Sequence, residues 1–160
     1  MKIKPINGHD VLVVCLNSED CRKILDGRKT QIRRILKIQP ENYPARAVRY
    51  TTKKEWIWES NSGKTGIFRP YKFKCPYEIG DYLLIREPWV TYVDQKPTGI
   101  LYKADHPALQ VEWKQSTHMP AKYARPVYLE IRDVRVERIR EISEADVIAE
   151  GFTHLASQSK

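Results

Sequence analysis

Positive charge is concentrated around one short stretch of the 160-residue chain, ILDGRKTQIRR at residues 24–34. Residues 22–37 hold seven cations against one acid, Asp26, so they carry +6 of the net charge of +8. Lys and Arg at this density suit phosphate groups, and we expect RNA or a nucleotide as the ligand. A solvated face paired with acids elsewhere is the alternative. The expected ligand contacts are Arg28, Lys29, Arg33 and Arg34.

A carboxylate near the other end of the chain could act together with Lys29. Glu150 is predicted to end a short helix, where the helix dipole disfavours negative charge. We therefore expect a compensating cation, and Lys29 or one of the arginines is the natural partner. Beside a pocket such a pair can transfer protons, whereas at the surface it is only a structural salt bridge.

Three further sequence features bear on possible ligand, phosphate or metal binding. Arg86 and Glu87 close an apolar strand and are candidates for a buried pair and for ligand contacts. The sequence GKT at residues 63–65 resembles the end of a phosphate-binding P-loop, but Trp58 occupies the position of the required first glycine. Four scattered histidines and three cysteines show no spacing typical of metal ligands, so we expect no metal and no cofactor.

The elements that position these residues are short. Helices are predicted over Ser18–Asp26 and Ser143–Glu150, each followed by a glycine suited to a left-handed turn. Ser18 and Ser143 are the predicted N-caps of these helices, and Asp146 is predicted to complete a capping box with Ser143.

Six or seven short strands account for most of the remaining pattern. The clearest are predicted at 11–16, 82–86 and 99–104, together with a hairpin that includes Trp56–Trp58 and 67–73. The alternation in PVYLEIRDVRVERI changes phase, which predicts a β-bulge near Arg132–Asp133. The pattern predicts a single α+β domain, a small β-barrel of about five to seven strands with two short flanking helices.

Composition places the chain among cytoplasmic globular proteins. Hydrophobic residues make up 41% and charged residues 30% of the sequence. The odd number of cysteines favours reduced thiols. No apolar run is long enough to predict a membrane span.

Four blocks, in this order, resemble ASCH-domain proteins of the phage and prophage branch: ILDGRKTQIRR, CPYEIGDYLLIREPW, STHMPAKYARPVYLEIRDVRVERI and ISEADVIAEGF. The resemblance implies a PUA-like barrel over residues 1–160, with a hairpin insertion at 40–74. It also implies binding of RNA or a modified nucleoside. One bacterial branch hydrolyses acetylcytidine, and another member is reported as a ribonuclease.

In the amidohydrolase branch the site uses a lysine, a threonine three residues later and a glutamate in the last helix. The resemblance carries the lysine to Lys29 and the glutamate to Glu150, but Ile32 stands where the threonine is expected. Thr30 could replace that hydroxyl only where the backbone turns locally. Relatives continue past AEGF into a last strand. We therefore expect either that the barrel here lacks a strand or that a partner chain supplies one at the open edge, as in a homodimer.

Three readings of the function follow. The first is an RNA- or nucleotide-binding module with a basic cleft. The second is a small amidohydrolase or ribonuclease in which Lys29, Thr30 and Glu150 carry out the chemistry. The third is a phage accessory protein that binds a host protein. The substitution at Ile32 favours the binding module.

Overall fold

The structure is a computed structural model that describes residues 3–36, 45–49, 54–60, 71–94 and 96–152. Two α-helices, eight β-strands and three 3-10 turns are found in these residues. The predicted α+β class is confirmed. The described strands form three separate small sheets, and the closed barrel stays a prediction.

The described residues group into two compact units. The first unit takes those within Met1–Ile32, Asp81–Glu130 and Ser143–Lys160, and the second takes those within Arg33–Gly80 and Ile131–Ile142. The predicted insertion at 40–74 lies within the range of the second unit. The single domain over 1–160 stays a prediction.

A three-stranded sheet forms the framework of the first unit. Its central strand β5 (Tyr82–Arg86) pairs in parallel with β1 (Val11–Cys15) and antiparallel with β8 (Tyr128–Glu130). The predicted strands at 11–16 and 82–86 are therefore confirmed to within one residue. A separate hairpin pairs β6 (Trp89–Asp94) with β7 (Lys96–Tyr102).

Each face of this sheet borders its own apolar cluster. One cluster joins Ile85 to Val14, Leu16 and Cys21, with Ile32 packed against it. The other contains Leu84, Trp89, Met119 and Ala124. Successive residues of a strand point to opposite faces, which explains why Leu84 and Ile85 enter different clusters.

Both helices belong to the first unit and end as the sequence predicted. Helix α1 (Ser18–Leu25) is followed by Gly27 at φ +73°, and helix α2 (Glu144–Ala149) is followed by Gly151 at φ +83°. Ser143 and Asp146 form the predicted capping box of α2. The predicted cap of α1 is wrong by one residue, because Asn17 is the N-cap and Ser18 is already helical.

In the second unit, β3 (Glu55–Ser60) pairs antiparallel with β2 (Ala45–Arg49) and with β4 (Tyr71–Lys74). The predicted antiparallel partner of Trp56–Trp58 is therefore confirmed, while its turn lies outside the described residues. Trp56, Phe73 and Cys75 are the buried residues of a third apolar cluster.

The bulge predicted near Arg132–Asp133 is wrong, because β8 ends at Glu130. Val127 and Leu129 pack against the cluster that contains Ile85 in the first unit, whereas Val134 and Val136 pack against the cluster that contains Trp56 in the second. The change of phase in the sequence therefore marks a change of core. A register irregularity occurs elsewhere, between Tyr92 and Val93 of β6.

Candidate functional site

Lys29 lies where the chain turns back after α1. Gly27 adopts a left-handed conformation, and the next two amides, those of Arg28 and Lys29, both donate to the carbonyl of Lys23, at 2.8 and 2.9 Å. This turn withdraws Lys29 from solvent, leaving it 8% exposed. A lysine is almost never buried to this degree without a partner.

Glu150 is that partner. The Lys29 Nζ donates to Glu150 Oε2 at 2.7 Å and to the Glu150 main-chain carbonyl at 3.0 Å. The two residues also form an isolated antiparallel β-bridge, and their side chains are 6% and 13% exposed. The expected pairing is confirmed, and its functional role stays a prediction.

The double contact explains why a carboxylate is tolerated at the end of α2. Glu150 is the C-cap residue, and the dipole concentrates partial negative charge on the last carbonyls of a helix. A single ammonium offsets both the Glu150 carboxylate and its carbonyl. Lys29 therefore stabilises the end of α2 in the way that a Lys or Arg side chain in the last turn stabilises other helices.

A second carboxylate faces the same ammonium. Asp20 Oδ1 lies 3.7 Å from Lys29 Nζ, and Asp20 Oδ2 accepts a hydrogen bond from the side-chain Nδ2 of Asn17 at 3.1 Å. The arrangement therefore has one cation and two anions, a formal charge of −1 if all three groups are ionised. Asp20 lies in the first turn of α1, where the helix dipole favours an acid, and it was not among the residues predicted for the site. Asp20 and Lys23 are three residues apart and share a face of α1, and the amide of Lys29 donates to the Lys23 carbonyl. This spacing is the sequence feature that could have indicated Asp20.

The segment after Lys29 is turned as well. The amides of Thr30 and Gln31 both donate to the carbonyl of Ala149, at 2.7 and 3.0 Å. In a regular strand, successive amides point in opposite directions, so this shared acceptor indicates a local turn. Gln31 Nε2 also donates to Asp146 Oδ1 at 2.8 Å, which ties the segment to α2.

Neither candidate position brings a hydroxyl into hydrogen-bond contact with the Lys29–Glu150 pair in the described residues. Ile32 packs against the apolar cluster that contains Val14, Cys21 and Ile85. Thr30 is exposed, and its hydroxyl makes no hydrogen bond within the part of the chain that the structure describes. The role of Thr30 as a nucleophile therefore stays a prediction.

Gly151 permits the close approach of α2 to this turn. A Cβ at position 151 would lie 2.9 Å from Lys23 Cδ and 3.1 Å from Lys29 Cβ. Its φ of +83° also disfavours any residue with a side chain. Both features make glycine necessary where α2 meets Lys29.

The other expected cations of the basic stretch have partners of their own. Arg28 is exposed and pairs with Asp26 at 2.8 Å. Arg33 belongs to the second unit, where its guanidinium pairs with Glu137, and Arg34 is exposed and donates to the Arg33 carbonyl at 3.1 Å. The convergence of Arg33 or Arg34 with Lys29 on one pocket stays a prediction.

The expected Arg86–Glu87 pair is wrong, because Glu87 pairs with Arg125. Glu87 is fully buried and accepts hydrogen bonds from Arg125 Nε at 2.6 Å and from the Ala104 amide at 2.9 Å. Arg125 also binds Asp105 at 2.9 Å. Adjacent residues at the end of a strand point apart, which separates Glu87 from Arg86. Arg125 lies 38 positions from Glu87, so no local sequence pattern predicts it as the partner.

Burial sets the acid–base properties of this network. It raises the pKa of Glu87 above its usual range, although the hydrogen bonds from Arg125 and Ala104 act in the opposite direction. Burial also raises the pKa of Cys21 to about 12, with a smaller contribution from the Glu87 carboxylate. Cys21 is therefore an unreactive core thiol.

Within the described ranges, no three His, Cys, Asp or Glu side chains group in a way that could hold a metal ion. None of the helices found there has the length and apolarity to cross a membrane. Comparison with protein-family models, curated proteins and solved structures finds no match to this chain.

Proposed function

We propose that this protein is an ASCH-like, PUA-type binding module that holds a nucleotide base against Lys29 and Glu150. The observation that carries the proposal is the nearly buried ammonium placed between the carboxylates of Glu150 and Asp20. A surface salt bridge would not require this enclosure. The resemblance of the four sequence blocks to ASCH proteins supports the same class of ligand.

The chemistry of the pair suits one edge of a base. An ammonium donates hydrogen bonds, and a carboxylate accepts them. Cytosine presents an amine next to a ring nitrogen and a carbonyl oxygen, so it offers the complementary donor and acceptors side by side. The base must be unpaired to present this edge, which favours a nucleoside or single-stranded RNA over a duplex.

A hydrolase is the second candidate, and Asp20 is the observation that favours it. With two carboxylates around one ammonium, Glu150 could take a proton from water while Lys29 gives one to a leaving nitrogen. For acetylcytidine, the water oxygen would bond to the acetyl carbon as the bond to nitrogen breaks, giving acetate and cytidine. In this scheme the attacking oxygen comes from water, because Ile32 has no hydroxyl and the Thr30 hydroxyl makes no hydrogen bond to Lys29 or Glu150 in the described residues.

Calorimetric titration with cytidine, acetylcytidine and uridine tests the binding module. We expect cytidine or acetylcytidine to bind, and Lys29→Met and Glu150→Gln each to weaken binding by about tenfold or more, as expected for a hydrogen bond to a charged group. Lys4→Met, which removes an exposed cation of the first unit that is not among the expected ligand contacts, is the matched control and should bind like the wild type. Equal affinity in all four proteins would remove Lys29 and Glu150 from the site.

Turnover of acetylcytidine, followed by chromatography, separates the two candidates. The binding module predicts no release of cytidine above the rate in buffer. Robust release that is lost in Lys29→Met, while that variant stays folded, would establish the hydrolase instead.

The basic stretch has a separate test with single-stranded RNA. If Arg33 and Arg34 contact phosphates, replacing both by Ala should lower the slope of log affinity against log salt by about 1.4, close to 0.7 for each phosphate contact. An unchanged slope would show that the RNA backbone lies elsewhere.

A further inference from the structure

Arg86, the last residue of β5, has no partner for its charge in the described part of the chain. It is half-buried, and its Nε is fully covered by protein and makes no hydrogen bond there. No ion pair or other hydrogen bond of its guanidinium is found there either. Withdrawing a permanent charge from water is costly unless a counter-charge compensates it.

Trp89 supplies a second donor of the same kind. The residue is 5% exposed, and its indole Nε1 is covered and without an acceptor among the described residues. A buried tryptophan N–H normally finds a partner. Two unsatisfied N–H donors, one of them charged, therefore lie three residues apart in the chain.

Both donors lie on the same side of the β1–β5–β8 sheet. Arg86 shares a strand face with Leu84, and Leu84 packs with Trp89 in one apolar cluster. Cys15 pairs with Arg86 in the sheet register, and its sulfur lies 3.9 Å from the Ser116 carbonyl. Trp89 exchanges main-chain hydrogen bonds with Lys114 at 3.0 and 2.9 Å. The segment 114–116 therefore contacts the Trp89 main chain and Cys15, the neighbour of Arg86 in the sheet.

The segment 107–126 carries a small positive charge besides Arg125. It contains Lys114 and Lys122 against one acid, Glu112, whereas Arg125 is already paired with Glu87 and Asp105. The Lys114 ammonium lies 4.9 Å from the centre of the Trp89 ring on an exposed side chain. Rotation of this side chain would bring the Lys114 ammonium to a ligand bound beside Trp89.

We propose that Arg86 and Trp89 form a subsite for a phosphate group, either free phosphate or the phosphate of a nucleoside monophosphate. A tetrahedral phosphate offers acceptor oxygens in several directions, which suits donors on two different side chains. Its charge, about −1.5 to −2 near neutral pH for a monoester, matches Arg86 and Lys114 together. The subsite rests on its own contacts and does not require ligand binding at Lys29 and Glu150.

Titration of ¹⁵N-labelled protein followed by NMR tests the subsite. The indole N–H signal of Trp89 is assigned by its loss in Trp89→Phe. We expect inorganic phosphate and cytidine monophosphate to move this signal and acetate to leave it in place. Arg86→Met should weaken phosphate binding by about tenfold or more, because a charge-assisted hydrogen bond is lost. Tighter binding of the monophosphate than of free phosphate would identify the nucleotide as the source, and equal affinity would identify free phosphate.

Lys4→Met is the matched control, since it removes one exposed cation from the same unit that is not among the expected ligand contacts, and it should not alter the titration. Arg86→Lys keeps the charge without the guanidinium and should bind phosphate with intermediate affinity, which keeps the test informative if Arg86→Met does not fold. A Trp89 signal that stays fixed with phosphate, or that moves equally with acetate, would overturn the proposal. So would an equal loss of affinity in Lys4→Met and Arg86→Met, which would indicate a general charge effect.

Discussion

Removal of the Lys29 charge should destabilise the protein more than removal of the Glu150 charge. Lys29→Met leaves a side chain of similar length, but it deprives Glu150 Oε2 of its 2.7 Å partner and leaves the carboxylates of Asp20 and Glu150 without their shared cation. The two paired side chains are only 6% and 13% exposed, so water compensates little. Breaking a buried pair in this way costs about 3–5 kcal/mol.

Glu150→Gln is milder for reasons visible in the same contacts. The Glu150 main-chain carbonyl, 3.0 Å from Lys29 Nζ, is unchanged, Asp20 remains near the ammonium, and the Gln side chain still offers an acceptor oxygen. We therefore expect a loss of about 1–2 kcal/mol, near the value of one charge-assisted hydrogen bond. In the double variant, the cost should be smaller than the sum of the two single costs.

Urea unfolding followed by circular dichroism measures these differences in the free energy of unfolding. Arg28→Met breaks the exposed pair with Asp26 and should change stability by less than about 1 kcal/mol, which makes it the control for loss of one cation. A cost for Lys29→Met no larger than that of Arg28→Met, or smaller than that of Glu150→Gln, would refute the reasoning.

Three other outcomes are expected from urea unfolding. Gly151→Ala should cost more than Gly27→Ala, because both positions have positive φ but only position 151 lacks room for a Cβ; equal costs would contradict the close contact with Lys29. Ile32→Thr should cost about 1–3 kcal/mol by burying a hydroxyl in an apolar cluster, and a neutral result would show that position 32 faces outward. Burial raises the pKa of Glu87 above the usual 4.5, so the folded state holds this proton more tightly than the unfolded state. The Glu87 contribution should therefore be lost as pH rises from the usual pKa to the raised one. Glu87→Gln should abolish that dependence, and an identical pH profile in both proteins would contradict it.

The helix ends and the Lys29–Glu150 pair could be predicted because their causes are local. Ser143 and Asp146 are three residues apart, and Gly151 follows the last apolar position of α2. The unfavourable position of Glu150 at a helix end required a cation, and the basic stretch supplied one. In each case a few neighbouring residues determine the outcome.

The contacts that could not be predicted depend on how distant segments meet. Asp20 reaches Lys29 only because the chain folds back on α1 after Gly27. Glu87 pairs with Arg125 because the fold brings together two residues that are 38 positions apart, and no sequence spacing indicates this contact. The end of β8 at Glu130 could not be predicted either. Alternation of apolar residues shows that one face of a segment is buried, but it does not show which apolar cluster that face packs against.

The most direct test of the central claim is to map cytidine binding onto the chain by NMR, using amide signals of ¹⁵N-labelled protein. The proposed module predicts shifts concentrated around Asp20, at residues 29–31 and at residues 149–151, and their loss in Lys29→Met. Saturable binding with shifts confined to other residues, or shifts that persist unchanged in a folded Lys29→Met protein, would contradict the assignment of the site to Lys29 and Glu150.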